Sequence, residues 1–463
     1  MDHDATQAVA EQLDAGLSAP GAMDEARFAS FIEAQTKLGL VHGARALCRH
    51  LRPYLISERD YAAVARAAEL ITAAVERIAR RALADPAMAD ELGLSREELA
   101  VAAMDPGDGP FLTVGRLDML VTEGGFHFIE LNADSPAGIT DQLLIEQTLM
   151  ALPHVARVRG RPGVRTPAPH LGLLRALREA YAGWGGREPR PTIAIVDWAT
   201  VDTRAEFNVL ADLFAAEGHR TLILDPAELA LEGGRLCARG EKIDLVYRRV
   251  ITQELLSRCG LDHPLLRAYR DRAACVANSF RIKPLNKKAS FAVLSAPEFS
   301  DLFSPEQRAA IAAHIPWTRR VKPGRVAWRG READLLELLQ GEQESFVLKP
   351  NDDYGGKGVL LGWQTPPDVW REAVRRAGAD RDQLMIAQER SRSRTLRAPT
   401  FRGGIVEDEV YFDLCPFVFA GRMEGAMVRL SASAVSNVSA GGGVTGLMVV
   451  DDALAPREDR RHV

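Results

Sequence analysis

Residues 115–132, Gly-Arg-Leu-Asp-Met-Leu-Val-Thr-Glu-Gly-Gly-Phe-His-Phe-Ile-Glu-Leu-Asn, constrain this chain more tightly than any other stretch. Two runs of period two flank Glu123-Gly124-Gly125, which predicts a β-hairpin with a three-residue loop. In that register Asp118 faces Glu130 and Arg116 faces Asn132. Leu117, Met119, Val121, Ile129 and Leu131 make one face apolar, so that face lies on a core. Arg116, Asp118, Glu130 and Asn132 share the other face with Leu120, Phe126 and Phe128, too apolar a set for a fully solvated surface. Two carboxylates held opposite each other on a half-buried surface repel unless a cation lies between them. With an amide beside them they form an all-oxygen set suited to Mg²⁺. An edge hairpin with a cross-strand ion pair uses the same residue types.

The 463 residues exceed what one core organises and predict two to four domains or subdomains. A formal net charge of −5 gives no reason to expect nucleic acid or an anionic membrane as partner. Cys48, Cys237, Cys259, Cys275 and Cys415 are scattered, odd in number and never C-x-x-C, the pattern of reduced thiols. The N-terminus lacks a secretion pattern and no run of about 18 apolar residues occurs, so a cytoplasmic protein is expected. Arginine supplies most of the positive charge, yet six of the eight lysines (Lys283, Lys287, Lys288, Lys322, Lys349, Lys357) fall between residues 283 and 357. Lysines confined to one region suit a need for compact point charges, as in phosphate binding; regional drift is the plainer account.

Apolar spacing of three and four predicts helices over 27–51 and 61–83, and Ser95-Arg-Glu-Glu reads as a capping box. Residues 1–105 therefore form an N-terminal helical region, with no catalytic signature. A helix near 141–150 follows the hairpin, and a Pro- and Gly-rich connector, 160–191, holds one more at 170–184. Strands at 192–197, 220–224 and 244–250, with a helix at 204–217, predict a small parallel α/β domain. No G-x-G-x-x-G follows the first of these strands, so a dinucleotide fold has little support. Further strands are expected at 345–350 and 384–389, with a second hairpin at 410–419 and 422–430.

Asp352-Asp-Tyr-Gly-Gly-Lys-Gly358 is a glycine-rich loop between strands, where backbone N–H groups approach an anion closely. It is not a Walker loop, because no Lys-Ser or Lys-Thr follows and a strand comes next. Lys349 ends the strand before it and Gln388-Glu389 end the strand after it. Together with Asp118, Glu130 and Asn132, these residues supply anion donors, a metal cage and an edge for a base. No Ser/His/Asp, Cys/His or zinc constellation competes with them.

These motifs resemble the ATP-grasp superfamily, and within it the glutathionylspermidine synthase-like branch. Asp118…Glu130-Leu-Asn132-Ala-Asp-Ser-Pro136-Ala-Gly138 is similar to the metal motif that closes ordinary ATP-grasp enzymes, yet here it precedes the lysine strand and glycine loop. That order implies a circular permutation. The resemblance implies an α/β (α+β) ATP-grasp fold with the metal motif in 106–165, a pre-ATP-grasp-like α/β domain at 190–300, and the lysine strand, lid and nucleotide core at 301–463. It implies ATP and Mg²⁺, with Asp118, Glu130 and Asn132 as metal ligands. Lys349 and Lys287, or Lys288 in its place, then reach the nucleotide. Gly355, Gly356, Lys357 and Gly358 form the phosphate lid, Gln388 and Glu389 hold adenine and ribose, and Asn437 stands at the phosphate end.

Arg116 and Arg429 then clamp the transferring phosphoryl group, with Asp413 orienting Arg429 or serving structure. The implied activity is an ATP-dependent carboxylate–amine ligase working through an acyl phosphate. Its substrates are a small carboxylate and an amine of amino-acid, peptide or polyamine type, and a homo-oligomer is compatible with it. A phosphotransferase and a non-catalytic nucleotide-binding module are the alternatives. Residues 1–105 contain only Cys48, so no cysteine amidase is expected, and the fold does not choose the acceptor.

Overall fold

The computed structural model describes residues 4–104, 109–201, 203–353, 355–380, 383–433 and 442–454. Strands Val114–Thr122 and Gly125–Asn132 pair antiparallel with Asp118 opposite Glu130 and Arg116 opposite Asn132. The turn is tighter than its glycines predict. Thr122 pairs with Gly125, so Glu123 and Gly124 alone form the loop, and a bulge at Ile129 restores the register before Glu130. Gly125, at φ 144°, supplies the backbone this needs. The bulge turns Phe126 and Phe128 into the core beside Leu117, Met119 and Val121, and leaves Ile129 on the opposite side. Both expected facings are thereby corrected. Two aromatic rings, each burying about 150–250 Å², outweigh one interrupted ladder position.

The hairpin is the edge of a six-stranded antiparallel sheet. Its neighbours are the late strands Ile405–Phe419, Arg422–Ser431 and Gly443–Thr445, with Thr395–Phe401 also paired to Ile405–Phe419. Thr395–Phe401 carries Pro399 and two exposed residues, an edge-strand composition that hides its pairing. Helix Glu58–Ala84 lays Val64, Ala68, Ile71, Val75 and Ile78 against one face of this sheet, in a core shared with both hairpins. The helix expected over 27–51 is shorter. Glu25–Lys37 is helical, Gly39 at φ 74° ends it, and a small ladder, Val41–His42 with Arg45–Ala46, follows.

Strands Ile193–Val196, Thr221–Leu224, Leu245–Arg248 and Cys275–Ala277 form a wholly parallel sheet, with helix Arg204–Ala216 after the first. In space the order is 275–277, 245–248, 193–196, 221–224, so the chain leaves its first strand in one direction and returns on the other side. A third sheet, antiparallel, sets Phe346–Pro350 between Leu360–Leu361 and Met385–Glu389, with Thr318–Arg320 at the edge.

Buried polar clasps tie the parallel sheet to the hairpin. Asn278, 1% exposed, accepts from the Thr113 and Val114 N–H groups at 2.8 Å each and donates to the carbonyls of Val114 and Ala133. Arg248 pairs with Asp134 at 2.6 Å, and Thr252 donates to the same carboxylate. Glu206 accepts from the N–H groups of Gly138 and Ile139, where helix Ile139–Met150 begins. No helix among the described residues is long and apolar enough to cross a membrane, and the five cysteines are free.

Glu146, 5% exposed on that helix, accepts from Gln142 Nε2 at 2.7 Å and Leu447 N at 3.2 Å. Burial pushes its carboxyl up to about 8. Between the ordinary value of 4.5 and about 8 the unfolded chain releases this proton and the native chain keeps it, so stability falls as pH rises across that window. Glu146→Gln removes the penalty. Denaturant melts should find the variant more stable by about 2 kcal/mol at pH 8, with most of the gain lost at about pH 5; equal stability at both would refute a buried neutral acid.

Candidate active site

A cavity of about 1300 Å³ opens between the six-stranded sheet, the Phe346–Pro350 sheet and the carboxyl ends of the parallel strands. Asp118, Glu130 and Asn132 from the early hairpin line it together with Lys349, Gln388 and Arg429 from the late part of the chain. Segments more than two hundred residues apart thus meet across one space. Single-ligand pockets run to about 300–1,000 Å³, so this one has room for more than one substrate.

Strand alternation puts the charged residues on the cavity side. Asp413 pairs with both Leu120 and Arg429, so Asp118, Asp413 and Arg429 come from three adjacent strands. Asp118 accepts from Arg116 Nε at 3.0 Å and from Arg429 at 2.9 Å, and Arg429 also donates to Asp413 at 3.0 Å. Burial would raise Asp118, but Arg116 and Arg429 overcome it and hold the carboxyl well below the usual range. Burial likewise opposes the charge on Arg429, and Asp118 and Asp413 more than restore it. Arg429 is therefore a fixed cation. Arg116 is also tethered by a 2.9 Å bond to the Ala137 carbonyl.

Lys349, 6% exposed, donates to Gln388 Oε1 at 2.8 Å and to the carbonyl of the bulged Ile129 at 3.2 Å. Burial pulls its ammonium down to about 8, with Lys288 acting in the same direction and Glu130, Asp118 and Asp413 against it. Gln388 in turn donates to Thr318 at 3.1 Å. Glu389 lines the cavity and receives Arg329 at 2.7 Å. Gly355, Gly356 and Lys357 also line the cavity, the two glycines at φ 69° and 75°. Gly358 stands behind the lining, where a Cβ would meet Pro350 Cγ at 2.7 Å, so it serves the close approach of loop to strand. Asn437 lies outside the described residues.

Of the two adjacent lysines, Lys288 faces the cavity, 3.6 Å from Glu130, and Lys287 does not. Lys287 donates to Glu98 at 2.9 Å and to Asp352 at 2.7 Å, and Lys283 holds the same Asp352 at 2.7 Å. Glu98 is also the capping-box residue of helix Arg96–Ala102. Lys287 therefore braces the root of the glycine loop against the N-terminal region, a link with no local signal in the sequence.

Glu130 receives Asn132 Nδ2 at 3.3 Å and meets Lys288 more distantly, so the hairpin offers the cavity carboxylate and amide oxygens. No group of three or more His, Cys, Asp or Glu side chains suited to a metal occurs among the described residues. A cation here would draw on two carboxylates, one amide and the oxygens of a phosphate ligand, a set that fits Mg²⁺. The cavity also takes Asp197 and Arg249, which follow two of the parallel strands, and Glu254 from helix Thr252–Cys259, residues not singled out from the sequence. An acid closing a buried strand in a β-α-β pattern was the available signal.

No protein-family model matches the chain. A curated relative from Frankia casuarinae, described as a putative glutamate–cysteine ligase, is 26% identical over 358 residues, which is 72% of this chain. The aligned part spans only 38% of that relative's own length. A solved structure from Globodera pallida, a glutathione synthetase-like effector in its apo form, superposes with a TM-score of 0.61. The match covers 93% of this chain and 99% of the effector at 13% sequence identity. The two chains share a fold. That fold is mixed α/β, and at this identity the likeness speaks of architecture and not of reaction. Neither protein is described as a glutathionylspermidine synthase.

Proposed function

We propose that this chain is an ATP-dependent carboxylate–amine ligase of the ATP-grasp type, in circularly permuted order and allied to the glutathionylspermidine synthase-like branch. One observation carries the reading: Asp118 and Glu130, early in the chain, share a cavity with Lys349, Gln388 and the glycine loop. The mixed α/β architecture and the ligase description of the Frankia relative support it. Mg²⁺–ATP, when bound, supplies the phosphoryl group that turns an unreactive carboxylate into an acyl phosphate.

Asp118, Glu130 and Asn132 would hold the metal. Lys349, Lys288 and Lys357, with the N–H groups of Gly355 and Gly356, face the phosphates. Gln388 and Glu389 hold base and ribose. Arg116 and Arg429, oriented by Asp118 and Asp413, spread the charge that develops on the transferring group; each such donor is typically worth about 2.7–4 kcal/mol. The glycine loop limits hydrolysis by covering the site.

The substrates in this reading are a small carboxylate and an amine of amino-acid, peptide or polyamine type. Glutamate and cysteine are the first pair to try, because the Frankia relative's description names them. ADP release across a panel of such pairs, with product analysis, tests the proposal. The expected result is ADP formation that requires an amine and yields an amide. A stable phosphorylated product without an amide would point to a phosphotransferase, and nucleotide binding without turnover on any pair to a binding module.

A further inference from the structure

The cavity continues past Asn132 into the crevice where the parallel sheet reverses direction, between the carboxyl ends of Ile193–Val196 and Leu245–Arg248. Open α/β sheets take ligands at such a reversal. Asp197 follows the first strand and Arg249 the second, while Glu254 stands on helix Thr252–Cys259. Asp197 is only 7% exposed, yet it lines the cavity. Its Oδ1 accepts from the Trp198 N–H at 2.9 Å, and no described residue donates to its Oδ2.

The cation nearby does not answer that oxygen. Arg249 is engaged by Glu206 at 3.2 Å, by the Tyr247 hydroxyl at 3.3 Å and by the Pro136 carbonyl. Glu254, whose Oε2 accepts from Trp198 Nε1 at 2.8 Å, adds a second carboxylate to the same wall. Burial raises the Asp197 carboxyl, and Glu254 adds to this against the pull of Arg249 and Arg248. A carboxylate oxygen that no described residue bonds, on a residue lining a cavity, is free to accept from a ligand that enters it. This wall of the cavity thus carries two carboxylates, Asp197 and Glu254, beside Arg249, whose Nη1 and Nη2 donate to Pro136, Tyr247 and Glu206.

We propose that this crevice is a subsite for the primary ammonium group of a substrate, with Asp197 Oδ2 accepting its N–H bonds and Glu254 supplying the second negative charge. The proposal rests on the ligase reading, in which the same substrate reaches the phosphoryl end with a different group. That group is either the carboxylate of an amino acid or the second amine of a diamine. Both sources present the same ammonium to Asp197.

Calorimetric titration of the full chain separates them, with L-glutamate beside N-acetyl-L-glutamate, and 1,4-diaminobutane beside 1,4-butanediol. The expected result is that at least one amine probe binds at least tenfold more tightly than its amine-free counterpart, and which one binds names the source. Asp197→Asn weakens that probe tenfold or more and Glu254→Gln severalfold, while both keep the parent's affinity for Mg²⁺ with a non-hydrolysable ATP analogue. If Asp197→Asn does not fold, Glu254→Gln decides. Equal binding to parent and variants, or no binding of either amine, overturns the subsite. Failure of the parent to bind the ATP analogue sinks the ligase reading instead and leaves the subsite to be judged by the amine titrations.

Discussion

Glu130→Ala lowers amine-dependent ADP release about a thousandfold or more and leaves the melting temperature within a few degrees of the parent. The side chain is 23% exposed, and its polar neighbours, Asn132 at 3.3 Å and Lys288 at 3.6 Å among them, belong to the cavity rather than to the apolar core. Its removal leaves Asp118 as the only carboxylate in the proposed metal set, and Asp118 is already bonded to both Arg116 and Arg429. Residual activity should demand much more Mg²⁺ for half-saturation. Turnover near the parent's at ordinary Mg²⁺ would remove the metal assignment, whatever becomes of the nucleotide reading.

Nucleotide affinity weakens about tenfold per pH unit above pH 8 and is nearly flat below it. Lys349 is the reason. Burial brings its ammonium down to about 8 in the free protein, so above that pH the amine must regain a proton to meet phosphate oxygens. Anionic phosphates raise the value again in the complex, and binding therefore takes up one proton. Titrations at about pH 9 in buffers of different ionisation heat measure that uptake directly. Lys349→Met should bind nucleotide more weakly and lose most of the pH slope; a slope kept by the variant would place the titration elsewhere. For folding alone the sign is opposite: the cost of burying the ammonium is full below pH 8 and fades as pH rises toward the ordinary 10.5.

What the sequence makes legible here is what repeats or punctuates locally. Alternation across 115–132 is enough to set Asp118 against Glu130 and Arg116 against Asn132, because a one-residue slip would turn every apolar side chain outward. The bulge at Ile129 is not legible, since its stabilisation comes from the distant surfaces that bury Phe126 and Phe128. Helix Glu58–Ala84 declares itself through 27 residues of regular spacing, whereas the 27–51 pattern runs past Gly39 because Leu40, Leu47 and Leu51 bury in the same core as Phe28 and Phe31 without being helical.

The site divides along the same line. Lys349, Gln388 and the glycine loop are visible as strand ends around a loop. The roles of Lys287 and Lys288 are not, because the choice is made by Glu98, 189 residues from Lys287 in sequence. Asp197 escapes notice for the same reason: the acid that closes its strand is visible, but nothing beside it in sequence reports that it lines the cavity. Local patterns carry the elements. Long-range side-chain pairing decides which of two neighbours faces the cavity.

The placement of the early hairpin also bears on synthesis at the ribosome. Met119 pairs with Leu414, nearly three hundred residues later, so strand Val114–Thr122 emerges long before the strand that covers its inner edge. Until Ile405–Phe419 and Arg422–Ser431 have been made, the acidic cluster has no Arg429 to neutralise it and the exposed edge has no partner. Messages truncated anywhere before that point should give chains without partial activity, and those chains should be strong clients for chaperones and proteases.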